Sequence, residues 1–392
     1  MISVYEAIEK IKGTIKELNP IEVVLTEANG CCLGEDIFAP IDMPPFDQSA
    51  MDGYAVCGGH SDYVIKSELK AGDSTDDLTL LDGEASRIFT GSMVPAGTRS
   101  VVPQEMVDVD GTIIRPRGLI RESANIRRQG EEISKGDLVL RKGSKLNVAA
   151  IGFLSGLGIK CVQVIRKPKI ELIVTGNELI QPGNQLEPGK IYESNASTLS
   201  TFIRSLGLDC KVSFVKDDFV STKACMDQAI KKNDLIVATG GISVGDYDFV
   251  GKALDELEVR EIFYKVNQKP GKPLYYGCKN DKHIFALPGN PAAALTCFLM
   301  YVLPGIRRLM GHSDSSLEKC KAELSTTFVK KGNRAQFLKA KIKEGVVEIN
   351  PKQNSSMLSS FIDANCLAFI PEDRTEVQAG SEVDVYLIPD RL

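Results

Sequence analysis

The chain has 392 residues, of which 43% are hydrophobic and 25% charged, with a formal net charge of −5. These values are typical of a soluble globular protein of roughly two to four domains and give no charge signature for nucleic-acid binding. No apolar run predicts a membrane span, and the N-terminus does not resemble a signal peptide.

Cysteine and histidine usage limits the redox compartment and the metal chemistry. The ten cysteines form no Cys-x-x-Cys pair, which argues against a disulfide framework and a zinc ribbon. We therefore expect buried thiols in a reducing cytoplasm. The three histidines, His60, His283 and His312, lack metal-ligand spacing. Any bound metal is expected to have oxygen ligands, which favours magnesium over structural zinc.

The chain is predicted to begin with a helix and to continue as a β-rich region. Five apolar residues share one helical face, namely Val4, Ile8, Ile11, Ile15 and Leu18. Ser3 and Glu6 form a possible capping box at its start. A strand-like segment is expected at 21–33, and short strands with frequent glycine at 64–143 predict a β domain.

Three polar turns interrupt this β-rich region. The segment PIDMPPFDQSAMDGYAV, residues 40–56, crowds Asp47, Ser49 and Asp52 into a loop bounded by proline and glycine. The second turn is FTGSMVPAG, and the third is NIRRQGEE, which sets two arginines beside two acids. From the residues alone, each turn also fits a solvated turn or charge cluster.

From Lys169 the chain alternates strands and helices as βαβ units do. The predicted strands of this region lie at 170–174, 211–215, 235–238 and 261–266. A hairpin of 274–276 with 284–287 leads into an apolar helix at 292–303. The C-terminal part, from about Ser315, is again predicted to be strand-rich, with strands at 336–341, 346–349 and 383–387.

Four polar loops are predicted to meet at one edge of a parallel sheet. The loops 175–178, 216–218, 239–248 and 288–291 each follow directly after a strand, and open α/β sheets bind ligands at the carboxyl ends of their strands. This edge would collect charged groups and glycine-rich backbone, namely Glu178, Asp217, Asp246 or Asp248, Lys265, Lys269, Lys272 and the loop TGGISVG. Carboxylates beside lysines and free amides suit a phosphorylated substrate with a bridging divalent metal. A tight turn without ligand is the alternative for the glycine loop, and the lack of a Ser–His or Cys–His pair disfavours covalent catalysis.

Seven motifs in order carry a resemblance that covers essentially the whole chain. They are PPFDQSAMDGYAV, FTGSMVPAG, NIRRQGEEI, VTGNEL, ATGGISVGDYD, KPGKPL and ALPGNPAAA. Together they closely resemble the molybdopterin molybdenumtransferases, the MoeA family and the gephyrin E domain. That family inserts molybdate into adenylylated molybdopterin with a divalent cation, here taken as Mg²⁺, and releases AMP.

The resemblance implies a multidomain α/β plus β fold. An elongated linking domain is expected from residues 1–42 and 137–167, with an inserted β domain at 43–136 between its two segments. A three-layer α/β/α molybdopterin-binding domain is expected at 168–314, followed by a C-terminal β barrel at 315–392. The resemblance also implies a cytoplasmic homodimer whose active site is shared between subunits, with transient contact to a molybdopterin adenylyltransferase.

The same resemblance implies roles for individual residues. Six are expected to act in catalysis: Asp52, Thr90, Glu132, Glu178, Asp217 and Asp248, with Glu178 and Asp217 also holding the metal. Substrate-binding positions are expected at Gly240, Gly241, Ser243, Asp248, Lys265, Lys269, Lys272, Pro288, Gly289, Asn290, Pro291, Arg334 and Ser355. At Glu132 the chain departs from the Gly-Glu-Asp-Ile common in the family, and the extra methylene could displace the carboxylate by about one bond length.

Three other functions remain open on the sequence. Tungstate has nearly the size and charge of molybdate, so insertion of tungstate is an alternative. A molybdopterin adenylyltransferase would resemble only the middle of the chain. A non-catalytic scaffold would not be expected to keep a costly cluster of charged groups.

Overall fold

The computed structural model describes residues 1–242 and 249–389, and the chain divides into two compact units. One unit comprises Met1–Ile21 and Val164–Leu392, and the other comprises Glu22–Gln163. The described residues contain seven α-helices: α1 (Val4–Thr14), α2 (Val148–Gly156), α3 (Asn195–Ser205), α4 (Phe219–Lys232), α5 (Phe249–Glu256), α6 (Pro291–Cys297) and α7 (Leu303–Leu309). The division into four domains that the resemblance implies stays a prediction.

The unit Glu22–Gln163 is built around a six-stranded sheet. In spatial order its strands are Ser100–Pro103, Gly53–Val56, Glu84–Ile88, Tyr63–Leu69, Ile113–Pro116 and Val107–Asp110. Alternate residues of Gly53–Val56 enter two apolar clusters, with Tyr54 and Val56 in one and Ala55 in the other. Short two-stranded ladders pair Gln48–Ser49 with Ile126–Arg127, and Ile37–Phe38 with Leu138–Leu140. The predicted β-rich region is confirmed.

The larger unit contains a central six-stranded sheet. Its strands are β1 (Ile170–Thr175), β2 (Cys210–Val215), β3 (Leu235–Thr239), β4 (Arg260–Tyr264), β5 (Tyr275–Lys279) and β6 (Lys282–Leu287), in the spatial order β2-β1-β3-β6-β5-β4. The first four in that order run parallel, whereas β5 is antiparallel to both β6 and β4. The predicted βαβ strands and the hairpin are confirmed.

Helices cover both faces of this sheet, which gives the predicted three layers. On one face, Leu172 and Val174 of β1 pack in a core that includes residues of α1, α3, α6 and α7. On the other face, Ile173 of β1 packs with Met226 of α4 and Leu254 of α5. Because neighbouring strand residues point to opposite faces, a continuous apolar run such as Ile170–Val174 serves both layers.

One helical segment contradicts the expectation that no apolar run could span a membrane. Within the described residues, Pro291–Leu309 is long and apolar enough to do so, with a π-helical stretch at Phe298–Val302 between α6 and α7. However, 89% of its apolar window is buried inside the protein. It is therefore the core helix of the α/β layers, longer than the predicted 292–303.

The C-terminal part forms the predicted barrel. Its sheet contains Gln268–Lys269, Ala335–Lys343, Val346–Ile349, Lys319–Leu324, Glu382–Leu387 and Cys366–Ile370 in spatial order. Pairing of Ala335–Lys343 with Cys366–Ile370 closes the last five strands into a ring. Closure removes the exposed edges that such short strands would otherwise present.

Two N-terminal predictions were too long. Helix α1 keeps the Ser3–Glu6 capping box but ends at Thr14 instead of Leu18, because the chain turns extended at Ile15 and Leu18 donates its N–H to the Leu309 carbonyl at 2.9 Å. The strand expected at 21–33 is Pro20–Val24, followed by a 3₁₀ turn. Of the ten cysteines, which were expected to be buried, six are buried and four, Cys57, Cys161, Cys225 and Cys320, are only half-buried.

Candidate active site

The carboxyl ends of four parallel strands meet at one edge of the central sheet, as the loop spacing predicted. Strands β1, β2, β3 and β6 are in parallel register, so the loops that follow them leave the sheet on the same side. Strand β4 is antiparallel to β5, which is antiparallel to β6, so β4 also ends at this edge. The loop that begins at Lys265 therefore leaves the sheet at the same edge as the other four loops.

A cavity of about 610 Å³ opens at this edge. Seven of the predicted site residues line it: Glu178, Gly240, Gly241, Pro288, Gly289, Asn290 and Pro291. Thr175, Thr239, Asn195 and Ser356 also line it and were not predicted as site residues. Ser243 and Asp248, together with Asp246, lie outside the described residues.

The glycine loop after β3 needs glycine for steric reasons. Gly240 has φ +85°, and a Cβ built on it would lie 2.4 Å from the Thr175 carbonyl oxygen. A side chain would thus collide with the backbone at the end of β1. The two strand ends can approach each other only because position 240 has no side chain, and this close approach shapes the cavity floor.

Two asparagines fasten the Pro288–Pro291 loop. Asn195, at the start of α3, donates its Nδ2 to the Gly289 carbonyl at 2.8 Å. Asn290 donates its Nδ2 to Ser355 Oγ at 3.0 Å, and the Ser355 carbonyl accepts from the Ala293 N–H at 3.1 Å. The loop is therefore held between α3 and a segment of the C-terminal barrel. Ser355, a predicted substrate-binding residue, contacts the loop directly.

The two predicted metal ligands lie in adjacent loops. Glu178 follows β1 and is exposed, while Asp217 follows β2 and donates its N–H to Asn177 Oδ1 at 3.1 Å. Asp217 Oδ1 is buried and has no hydrogen-bond partner among residues 1–242 and 249–389. Burial, followed by the negative charges of Glu178 and Asp218, raises the pKa of Asp217 above its ordinary value. A cation bound here would relieve both the missing contact and the repulsion.

The neighbouring Asp218 has a different task. It is the N-cap of α4, where Oδ1 accepts from the Ser221 N–H at 2.8 Å. These hydrogen bonds lower its pKa, so Asp218 stays ionised and serves the helix rather than a ligand.

The three predicted lysines follow β4 and are not among the described residues that line the cavity. Lys265 has φ 69° and its ammonium lies 4.6 Å from the Tyr264 ring centroid. Lys269 and Lys272 are exposed, and Gln268, between β4 and these lysines, is fully buried. Gln268 donates its Nε2 to the carbonyls of Pro270 and Gly271 at 3.1 and 3.3 Å. A buried side chain thus fixes the backbone that carries the two exposed lysines.

Arg334 lies at the start of the barrel strand that pairs with this lysine loop. Gln268 and Lys269 are aligned in parallel with Ala335 and Gln336, the residues directly after Arg334. Arg334 itself is exposed. This strand pairing therefore places Arg334 next to the KPGKPL segment.

The remaining predicted residues belong to the unit Glu22–Gln163. Asp52 Oδ1 accepts hydrogen bonds from the N–H and the hydroxyl of Thr90, each at 2.8 Å. These bonds lower the pKa of Asp52. Arg128, in the motif NIRRQGEEI, forms an ion pair with Asp47 at 2.6 Å. Glu132 is exposed and its N–H donates to the Met43 carbonyl at 3.0 Å.

One further polar group was missed by sequence reasoning. Thr239 is 1% exposed, lines the cavity, and its hydroxyl has no hydrogen-bond partner among the described residues. A threonine as the last residue of an apolar strand, directly before Gly-Gly, was the available signal. A buried hydroxyl without a partner is costly unless a ligand or water completes it.

Three family profiles match consecutive parts of the chain. They are the MoeA N-terminal region (domain I and II) at residues 2–158, the probable molybdopterin binding domain at 171–308, and the MoeA C-terminal region (domain IV) at 321–388.

Curated relatives and solved structures agree with these profiles. The molybdopterin molybdenumtransferase of Staphylococcus epidermidis is 33% identical over 400 residues, covering 98% of this chain and 95% of the relative. Molybdopterin molybdenumtransferase 2 of Mycobacterium tuberculosis is 34% identical over 405 residues, covering 98% and 99%. A molybdopterin biosynthesis MoeA protein of Pyrococcus horikoshii superposes with a TM-score of 0.85 at 32% identity over 99% of both chains. With its whole length matched in sequence and in fold, the chain belongs to the MoeA family of molybdopterin molybdenumtransferases.

Proposed function

We propose that this protein inserts molybdate into adenylylated molybdopterin and releases AMP, completing the molybdenum cofactor. The observation that carries the proposal is the cavity at the sheet edge, which Glu178, Gly240 and Asn290 all line. Asp217 lies in the loop next to the loop of Glu178, and its Oδ1 has no hydrogen-bond partner among the residues that the structure describes. Family membership supports the reaction, since relatives of nearly full coverage carry the molybdenumtransferase name.

A divalent cation such as Mg²⁺ fits the two carboxylates. Glu178 and Asp217 would hold it, because Asp217 Oδ1 is buried without a hydrogen-bond partner in the described part of the chain. Burial and then the negative charges of Glu178 and Asp218 raise the pKa of Asp217, and a cation would offset those charges. Residues 1–242 and 249–389 contain no group of three or more His, Cys, Asp or Glu side chains arranged for a metal. Mg²⁺ commonly uses one or two carboxylates and takes its other ligands from water and substrate phosphates. When bound, it would neutralise charge on the pyrophosphate of the adenylate.

The chain's own residues would bind and orient the adenylate. The Gly240–Gly241 turn allows a ligand to approach the backbone at the end of β3, and the Thr239 hydroxyl is free to donate or accept there. Lys265, Lys269 and Lys272 would stabilise negative charge on phosphoryl oxygens as the bond to AMP breaks. Arg334 and Ser355 would bind the molybdate oxyanion beside them.

We extend the proposal to a homodimer that shares its active site, with Asp52, Thr90 and Glu132 serving the site of the other subunit. The apolar face of α1 does not supply the dimer contact, since Val4, Ala7 and Ile11 are already buried in their own chain. Helix α2 is a better candidate. Its sequence VAAIGFLSG is strongly apolar, yet only Leu154 is buried and Val148 is 77% exposed.

The test is AMP release from purified adenylylated molybdopterin with Mg²⁺, with and without molybdate. We expect molybdate-dependent release by the wild type, and no release by Glu178→Ala or Asp52→Ala at unchanged circular dichroism. Full activity of both variants would contradict the assigned site. Equal rates with tungstate would show that the pocket does not select the metal.

Two other outcomes would replace the proposal. Consumption of ATP and molybdopterin to make the adenylate would identify an adenylyltransferase. Binding of the adenylate without release, under conditions in which a characterised family member is active, would identify a scaffold. The ten cysteines contain no Cys-x-x-Cys pair, which is compatible with a reducing cytoplasm. We place the reaction there, together with the transfer of adenylate from a molybdopterin adenylyltransferase.

A further inference from the structure

The barrel contains a buried lysine without an acidic partner. Lys339, in the middle of the strand Ala335–Lys343, has an exposed fraction of 0%. Its Nζ donates to the Asn354 carbonyl at 3.3 Å. Within residues 1–242 and 249–389, no carboxylate forms an ion pair with it. Burying an ammonium without a counter-charge is expensive, so a lysine kept there needs a reason beyond packing.

Lys339 is also the attachment point of the barrel segment that reaches the cavity. We define the barrel segment as residues 353–356. Gln353 accepts from the Lys339 N–H at 3.1 Å through Oε1, and donates its Nε2 to the Lys339 carbonyl at 2.8 Å. With the ammonium bound to the Asn354 carbonyl, one residue fixes the beginning of the segment through its backbone and its side chain.

The far end of the barrel segment forms part of the active-site wall. Ser355 accepts from Asn290 Nδ2 and its carbonyl accepts from the Ala293 N–H, at 3.0 and 3.1 Å. Ser356 lines the cavity. Hydrogen bonds therefore tie the start of the barrel segment to Lys339 and its end to Asn290 and Ala293.

The charged surroundings of Lys339 are positive. Burial, together with the neighbouring ammonium of Lys269, lowers the pKa of Lys339 to about 8. Three of its partners among the described residues are neutral: the Asn354 carbonyl, the Gln353 amide and, across the strand pair, Leu367. Since no acidic side chain of the described residues pairs with Lys339, Lys269 and Lys339 together form a site of net positive charge. A bound anion would compensate this charge.

We propose that Lys339 is a positioning residue, which holds the barrel segment against the active-site cavity and adds a buried positive charge that favours an oxyanion there. The inference rests on the proposed function for the identity of the anion. The oxyanion is either molybdate or a phosphate of the adenylate, since both present negatively charged oxygens to a lysine.

The experiment compares Lys339→Met, Lys339→Arg and Lys341→Met. Lys341 is the matched control, an exposed lysine in the same strand. Binding of molybdate alone and of AMP alone is measured by calorimetry and by the shift in thermal midpoint, from pH 6.5 to 9.5. Loss of affinity for only one of the two ligands identifies the oxyanion.

We expect Lys339→Met to weaken binding of one of these anions about tenfold at pH 7, as expected for loss of roughly 1.4 kcal/mol. We expect Lys339→Arg to restore much of it and Lys341→Met to match the wild type. The wild-type affinity should fall as the pH rises through about 8, and this step should be absent in Lys339→Met.

Wild-type affinity and the same pH step in Lys339→Met would overturn the inference. If Lys339→Met fails to fold, Gln353→Ala tests the segment with the charge retained. We then expect weaker anion binding at an unchanged pH step, and unchanged affinity would overturn the positioning role. Because these assays use the anions alone, they judge Lys339 even if the wild type releases no AMP, which would instead contradict the proposed function.

Discussion

The carboxylate of Asp52 is bound twice by one residue, Thr90, through its backbone N–H and its hydroxyl at 2.8 Å each. The two residues are 38 positions apart and belong to two different motifs, PPFDQSAMDGYAV and FTGSMVPAG. Both motifs were predicted to carry catalytic residues. Their contact gives a physical reason for the pair, since donors aimed at a carboxylate orient it and favour its ionised form.

Replacing Thr90 by valine should raise the pKa of Asp52 towards its ordinary value. The hydroxyl donor is lost while the backbone donor remains, so the carboxylate is ionised over a narrower pH range. If ionised Asp52 is needed, the acidic limb of kcat/KM moves to higher pH and activity at neutral pH falls roughly tenfold through loss of orientation. Thr98→Val is the control, because the Thr98 hydroxyl donates to the Pro95 carbonyl of its own turn at 2.7 Å. An unchanged acidic limb would show that the Thr90 hydroxyl does not tune Asp52.

Replacing Asp217 by asparagine should raise the Mg²⁺ concentration needed for half-maximal activity without loss of stability. The substitution removes a carboxylate whose pKa is raised by burial and by Glu178, so repulsion in the metal-free protein decreases. Because protonation competes with the cation, wild-type Mg²⁺ affinity should also weaken as the pH falls towards the raised pKa of Asp217. Asp209→Asn, an exposed acid at the opposite end of β2, should leave the Mg²⁺ dependence unchanged. If Asp217→Asn and Asp209→Asn need the same Mg²⁺ concentration for half-maximal activity, Asp217 is not a metal ligand.

Replacing Gly240 by alanine should distort the cavity as well as destabilise the fold. A left-handed conformation costs an alanine roughly 1–2 kcal/mol, and forced repacking at a contact costs roughly 1–3 kcal/mol more. Gly183→Ala isolates the first contribution, since Gly183 has φ +94° and nothing within 4 Å of a built Cβ. Denaturant unfolding measures the loss of unfolding free energy in Gly240→Ala and in Gly183→Ala. Equal losses for the two variants would mean that the 2.4 Å approach to the Thr175 carbonyl relaxes freely.

Replacing Asp234 by alanine should destabilise the α/β layers while sparing the cavity. Asp234 is buried before β3, where it receives Arg166 at 2.7 and 2.9 Å, Lys282 at 3.2 Å and the Lys169 N–H at 2.9 Å. Removing one member of such a buried network costs about 3–5 kcal/mol. Asp227→Ala, which breaks only the surface pair with Lys231, should cost about 0.5 kcal/mol or less.

The same carboxylate predicts a pH dependence of stability. Although burial opposes ionisation, its hydrogen bonds to Arg166, Lys169 and Lys282 hold the pKa of Asp234 far below 3.8, its ordinary value. A lowered folded-state pKa contributes stability that is complete above the unfolded pKa and is lost as the pH falls below it. Wild-type unfolding free energy should therefore decline below pH 3.8 more steeply than that of Asp234→Ala. Parallel acid-unfolding curves would contradict this assignment.

Local sequence determined many elements because their signals are short-range. The Ser3–Glu6 capping box, the strands of continuous apolar residues and the Asn280–Asp281 hairpin turn all depend on neighbours within a few positions. The boundaries that failed depended on distant contacts. Leu18 left the predicted helix because its N–H binds the Leu309 carbonyl, which no local pattern reveals.

The sequence by itself determined the family, the order of strands and helices, and which loops would follow parallel strands. Parallel register then requires those loops to share an edge, where seven of the residues that the resemblance implied line one cavity. Only the tertiary structure decided which polar atoms are paired. Within residues 1–242 and 249–389, Asp217 Oδ1 and the Thr239 hydroxyl have no hydrogen-bond partner, and the buried Lys339 has no acidic one. These properties depend on contacts between residues far apart in the chain. Burial and hydrogen bonding are properties of the packed chain, and they set the charge states on which the proposed chemistry depends.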